Sequence, residues 1–152
     1  SPDKNIEGTV EHIGWRVTRI RTFDKRALYV PNSFFLTISV ENASRMLNRR
    51  IKTLVGVRYD DAAKINAISH DIKQMLLEHP DIDNKQPILV NLNELGASSL
   101  DILVDAFTQT IKRAEYIPIR HDVLMKALDI IASHGAECAF PTQTLLMNSD
   151  HK

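Results

Sequence analysis

The chain has 152 residues, 43% of them hydrophobic and 25% charged, and its formal net charge is zero. That composition is ordinary for a folded globular protein and excludes the collagen-like, disordered and disulfide-scaffold classes. The length admits one large domain or two small ones, and a β module of about 45 residues would be marginal without a partner surface.

Charge is unevenly spread. Residues 1–52 carry ten Lys and Arg against five Asp and Glu, and residues 53–152 carry nine against fourteen. A basic module followed by an acidic one suggests that the first faces phosphates, of lipid head groups or of nucleic acid, with a solvated surface as the plain alternative. The single cysteine, Cys138, forbids an intrachain disulfide and fits a reducing compartment. No cation adjoins it in sequence, so a packing role is expected over a reactive one. The longest apolar pieces, such as Phe34-Phe35-Leu36, fall far short of the roughly 18–20 residues a spanning helix needs. No signal-peptide pattern opens the chain. A start at Ser1-Pro2-Asp3 without Met reads as a piece of something longer.

Residues 8–44 read as short strands rich in Thr, Val, Ile and aromatics, with no helical period. Imperfect alternation through Trp15, Val17, Thr18 and Ile20 predicts a bulge or a strong bend there. Asp24-Lys25-Arg26 is a turn into a strand at Ala27–Val30. Pro31 ends that strand because it has no N–H to donate, and Asn32-Ser33 makes a corner. Arg45–Arg50 is a basic connector. Arg50–Tyr59 is the next strand, with Ile51, Thr53, Val55 and Val57 on one face. Asp60 or Asp61 is placed to cap a helix whose stripe is Ile65, Ile68, Ile72, Met75 and Leu76 and which stops before Pro80. A hairpin follows, with Ile88, Val90 and Leu92 facing inward on one strand and Leu100, Ile102, Val104 and Ala106 on the other. Ile117, Val123, Leu124, Ala127, Leu128 and Ile131 mark a second helix with Gly135 as its C-terminal cap. Cys138–Phe140 and Thr144–Met147 read as extended.

From Arg50 onward the order is βαββαβ, the ferredoxin-like split βαβ arrangement, following a small β barrel. The class is α+β. The expected domains are 1–47, 48–147 and a polar tail at 148–152.

Chemistry-bearing constellations are missing. The six histidines, at 12, 70, 79, 121, 134 and 151, form no i, i+4 pair with a Glu. His121-Asp122 lacks a companion nucleophile, and His134 suits a helix C-terminus. Glycines 8, 14, 56, 96 and 135 are too scattered for a phosphate loop. Asp60-Asp61 is read as a cap rather than a cation site. Asp101 and Asp105, on one strand face, are expected to be solvated or to face a water-filled space. No catalytic residue, metal site or cofactor is expected, so the chain reads as a non-enzyme. Arg16, Arg19, Arg21, Lys25, Arg26, Arg45, Arg49 and Arg50, interleaved with Trp15, Phe23 and Tyr29, are the one cluster with binding character. Core packing is the expected role of Trp15 and Phe23. The alternative function they support is a soluble Sm-like RNA-binding module.

Gly8-Thr9-Val10, Tyr29-Val30-Pro31-Asn32-Ser33, Asn42-Ala43-Ser44-Arg45 and Leu92-Asn93-Glu94-Leu95-Gly96-Ala97-Ser98-Ser99 occur in that order. Together they resemble the MscS family, the mechanosensitive channels of small conductance, from about Ile6 to Met147. The resemblance implies a Sm-like β domain after a pore helix, then a ferredoxin-like αβ domain. It implies a heptameric homo-oligomer in the bacterial inner membrane, with this part a vestibule on the cytoplasmic face. Ions and small osmolytes would pass through it when tension opens the gate under hypoosmotic stress. It makes Asn93, Glu94, Gly96, Ala97, Ser98 and Ser99 candidates for subunit or portal contacts, and Asn42 and Ser44 candidates for contact with the pore helix. Arg16, Arg19, Arg21, Arg26 and Arg45 become membrane-proximal candidates, with lipid head groups as partner and no nucleic acid expected. Ordinary turn chemistry, with positive φ at Gly96, is the competing explanation of the turn residues. The transmembrane helices and the barrel's opening strand are expected upstream of Ser1, and the axial strand that often ends the family is expected to be reduced.

Overall fold

A computed structural model describes residues 6–42 and 45–141. Ser44, Thr144–Met147 and the 148–152 tail lie outside the described residues. The chain divides between residues 43 and 44 into two compact units.

The first unit is a three-stranded antiparallel meander: β1 (Thr9–Ile13), β2 (Val17–Arg21) and β3 (Ala27–Pro31), in the order β1-β2-β3. Its expected strand signals stop there. Asn32–Leu36 form a 3-10 turn, and residues 37–42 carry no strand. Pro31 is the reason, since its fixed φ and missing N–H end the ladder. Asn32 then turns its side chain back on the sheet. Of the two expected irregularities, the bend is where the alternation breaks and the bulge is elsewhere. Gly14-Trp15-Arg16 are the hairpin tip, and the register slips in β1 between Val10 and His12, leaving Glu11 unpaired. Of the strand residues only Thr18, Ile20 and Val30 are buried. Trp15 is 97% exposed, and Phe23 and Tyr29 are exposed as well, so the expected core role of Trp15 and Phe23 is not what this unit shows. Trp15 lies in the β1–β2 hairpin tip and Phe23 in the β2–β3 turn, outside the strands that bury Thr18, Ile20 and Val30.

The second unit runs β4 (Arg49–Val57), a 3-10 segment (Tyr59–Lys64), α1 (Ile65–Glu78), β5 (Leu89–Leu95), β6 (Leu100–Thr108) and α2 (Arg113–Ser133). The sheet is antiparallel in the order β4-β6-β5. Cys138 bridges to the other edge of β4 at Val57, and Ala139 N–H donates to Gly56 O at 3.1 Å. The order return segment, β4, β6, β5 is that of the ferredoxin-like fold.

The core lies between the sheet and the helices. Ile51, Val57, Ile68, Ile72, Leu76, Ile102, Val104, Val123 and Ile131 are all but fully buried. Each such side chain contributes about 1.5–3 kcal/mol relative to exposure. The α1 stripe is as expected, with Met75 only half-buried. On α2 the buried set narrows to Val123, Ala127 and Ile131, while Ile117 and Leu128 are exposed. Leu92, expected to face inward, is exposed although it pairs in register with the buried Ile102.

Gly135 closes α2. At φ +64° it lies in the left-handed region, its N–H donates to Ala132 O (2.9 Å), and Ala136 N–H donates to Ile131 O (3.1 Å). These are the paired bonds of a Schellman cap.

Candidate functional site

The most built feature is the β5–β6 hairpin tip. Leu95 pairs with Leu100, and Gly96 N–H donates to Ser99 O at 2.8 Å. Gly96 has no positive φ; its backbone does not need glycine for conformation. It needs it for space, since a Cβ would sit 3.1 Å from both Ser99 O and Ser99 Oγ. Gly56 on β4 is matched to the same corner, where a Cβ would meet Asp101 Oδ1 and Ser99 Cβ at 3.2 Å. Ser99 Oγ donates to Asp101 Oδ1 at 2.7 Å, and the Tyr59 hydroxyl donates to Gly96 O. The tip is thereby braced from the segment ahead of α1. Asn93, Glu94, Leu95 and Ala97 point to solvent, and Gly96, Ser98 and Ser99 are half-buried.

The helix-free face of the sheet separates the two aspartates that share a strand parity. Asp101 is half-buried beside the tip. Asp105 is not solvated: it is buried, and the Arg50 guanidinium donates to both its oxygens, one at 2.7 Å. That pairing holds its carboxyl below the usual carboxylate value against the opposing effect of burial. Arg50 also lies over the Phe107 ring, 5.8 Å from its centroid.

Asp61 does not cap a helix. It sits within the 3-10 segment, buried, with Arg58 Nε and Lys64 Nζ each donating to it at 2.9 Å and Glu137 N–H at 3.1 Å. The Arg58 bond first, then Lys64, hold its carboxyl down at about 2. Arg58 also pairs with Glu137, and Lys64 donates to Gly135 O. One carboxylate thus fastens the return segment to the start of α1.

In the β unit the bulged Glu11 takes Arg21 at 2.8 Å and Arg19 at 3.0 Å, and the Arg21 bond holds Glu11 below the usual carboxylate value. Arg26 pairs with Asp24. Asn32 locks the opposite tip: its amide donates to Gly14 O (2.9 Å) and Trp15 O (3.3 Å), its Oδ1 accepts from Thr18, and its N–H donates to Arg16 O. Arg16, Lys25 and Arg45 are exposed, as is Asn42. Arg49 and Arg50 belong to β4 instead, Arg49 donating to Ile111 O and lying 5.7 Å from the Tyr116 ring centroid. The basic cluster is therefore divided between units and largely paired.

Among the described residues no group of three or more His, Cys, Asp or Glu could hold a metal ion. Asp122 does not orient His121. It accepts from Lys126 (2.7 Å) and contacts His79 (2.8 Å), which together lower its pKa. His134 contacts Asp71 of α1 at 2.7 Å. Cys138 is half-buried, and burial pushes its thiol pKa up. No helix among the described residues is long and apolar enough to cross a membrane.

Sequence reasoning overlooked Gly56, Tyr59 and Arg58. Gly56 was legible as a lone glycine inside a strand, which often marks close backbone approach. Tyr59 carries no local signal, because its partner is 37 residues away, and for Arg58 only the Asp61 half of its pairing is local, Glu137 lying 79 residues away.

The profile of the family "Mechanosensitive ion channel, beta-domain" matches residues 3–45, and that of "Mechanosensitive ion channel MscS, C-terminal" matches residues 42–138. The chain is 55% identical to the low conductance mechanosensitive channel YnaI of Escherichia coli K12 over 149 residues, covering 98% of this chain and 43% of that protein. It is 33% identical to the small-conductance mechanosensitive channel MscMJ of Methanocaldococcus jannaschii, covering 97% of this chain and 42% of that one. The cryo-EM structure of Arabidopsis thaliana MSL1 superposes with a TM-score of 0.84 at 26% identity, over 91% of this chain and 50% of that chain. The closed-state crystal structure of Helicobacter pylori MscS shares the fold, with a TM-score of 0.81 at 20% identity, over 94% of this chain and 55% of that chain. The chain thus spans about two fifths of the length of the two channel sequences and about half of the two solved chains.

Proposed function

Because this chain belongs to the MscS family of mechanosensitive ion channels, we propose that it is the vestibule portion of such a channel, a non-catalytic wall through which ions and small osmolytes reach a tension-gated pore. The observation that carries this reading is the tandem match of β domain and C-terminal domain, in family order, across residues 3–138. In this reading the full channel is a heptamer in a bacterial inner membrane, with these residues on the cytoplasmic face. The braced tip, with Asn93, Glu94 and Ala97 turned outward, suits contact with a neighbouring subunit or the rim of a portal. A corner locked by hydrogen bonds holds its shape against a partner. Asn42 and Ser44 are proposed to meet the pore helix, and Arg16, Arg19, Arg21, Arg26 and Arg45 to lie nearest the membrane. The test is patch-clamp recording of the full reading frame in liposomes, with a survival assay under osmotic downshock. Tension-gated currents that lose conductance or stability when residues 96–99 are replaced by a Gly-Asn turn support it. A full-length protein that gives no tension-dependent current refutes it.

Exposed Trp15 and Tyr29 beside Arg16 and Arg19 favour one second reading, single-stranded RNA binding by the β unit. Filter binding across a salt series separates the two, since RNA binding would weaken steeply with salt. The channel reading expects no retention.

A further inference from the structure

His79 follows the last residue of α1, and its side chain is 3% exposed. Asp81 N–H donates to Nδ1 at 3.1 Å, so that nitrogen carries the lone pair. Nε2 therefore bears the hydrogen and donates to Asp122 Oδ2 at 2.8 Å. The neutral Nε2–H tautomer is the one state of the ring that satisfies both bonds. The charged groups around it are Asp122 and Lys126 from α2, Asp81 from the loop, and Glu78 at the end of α1 itself.

What the ring holds is the start of the α1–β5 loop. Asp81 O accepts from Gln109 N–H (2.9 Å), Asp83 N–H donates to Phe107 O (2.8 Å), and Ile82 bridges to Thr108. The loop is thus laid along the end of β6, and it leads into β5 and the braced hairpin. A proton added to Nδ1 would face Asp81 N–H with a second donor, so that bond must break. The bond from Nε2–H to Asp122 persists and becomes an ion pair.

The geometry points to His79 as a proton-operated catch: the ring stays on α2 in both charge states and holds the Asp81 amide only when neutral. It converts protonation of the ring into a local release of the Asp81 amide, at the start of the loop that leads to β5. It requires the αβ unit alone and stands whether or not the channel reading does. His134 and Asp71 join the same two helices through a second imidazole–carboxylate contact, so global stability cannot report on His79 alone. The readout must be local.

The experiment is NMR on the 152-residue chain between pH 8 and pH 5. Long-range ring ¹⁵N shifts give the tautomer and charge of His79, and amide exchange, corrected for intrinsic rates, gives the protection of Asp81. The expected result is an Nε2–H ring at pH 8 and a fall of tenfold or more in Asp81 protection that tracks protonation of His79. In His79→Gln, which cannot titrate, Asp81 protection should be flat with pH. An Nδ1–H tautomer overturns the proposal, as does a ring that stays neutral down to pH 5, or Asp81 protection that is constant through the titration. If the variant fails to fold, the wild-type tautomer and coupling decide alone.

Discussion

Gly135→Ala is the sharpest test of how the return segment is set. Gly135 has φ +64°, and a Cβ there would meet nothing nearer than Lys64 Nζ at 3.7 Å. Steric crowding is therefore negligible and the cost is conformational. An L residue in the left-handed region costs about 1–2 kcal/mol. Replacing glycine also stiffens the unfolded chain, which returns about 0.4–1 kcal/mol. The net expectation is a loss of about 1 kcal/mol. For a chain of this size that lowers Tm by about 2–4 °C. Urea unfolding followed at 222 nm reads the αβ unit, since both α-helices described lie in it. The midpoint should fall with an unchanged m value. Gly135→Asn should lose about half as much, because Asn tolerates this region better. An alanine variant with an unmoved or raised midpoint would refute the Schellman-cap reasoning, and a changed m would show that the denatured state had moved instead.

Asp61 makes stability depend on acid. Its folded pKa, about 2, lies below the ordinary 3.8, so its contribution is present above about pH 4 and fades as pH falls through 2. Urea midpoints of wild type and Asp61→Asn should be well separated at pH 5 and converge toward pH 2; parallel curves would remove Asp61 from the clasp. In the full channel, Asp101→Lys should shift the reversal potential. Asp105→Asn should lower the unfolding midpoint and leave selectivity alone, because Asp105 is buried under Arg50. The opposite pattern would put Asp105 in the ion path. Asn32→Ala deletes three side-chain hydrogen bonds, the two half-buried ones worth about 1 kcal/mol each. It should cut amide protection in β2 and β3 without affecting α1; unaltered exchange would mean that the tip holds without its clamp.

Period and punctuation carried the αβ unit. Ile65, Ile68, Ile72 and Leu76 recur at helical spacing, and Leu100, Ile102, Val104 and Ala106 at strand spacing. Gly135 and Pro80 mark ends by backbone chemistry that acts within a few residues. The same local rules misread residues 33–42 as strand. β propensity there had no neighbour to pair with, and pairing, not propensity, makes a strand. They also misjudged Trp15 and Phe23, since hydrophobicity says what would favour burial and not whether a sheet of three strands offers a place for it.

The candidate site shows the same division. The LNELGASS hairpin was legible as a turn and as a family mark, but the reason for Gly96 was not, because the Ser99 backbone and side chain crowd it only once the hairpin has closed. Charge counts along the chain could describe a basic half and an acidic half. They could not tell that Arg50 is spent on Asp105 and that Arg58 reaches Glu137, or that His79 is held between a loop amide and an α2 carboxylate. By itself the sequence determined the strand and helix order of the αβ unit, the Gly135 cap and the family. The tertiary structure decided which charges are paired, which glycines are there for space, and which aromatics face outward. The physical reason is range: periodicity and capping act over a turn or two of chain, whereas ion pairs, crowding and burial are fixed by residues that meet only when distant segments fold together.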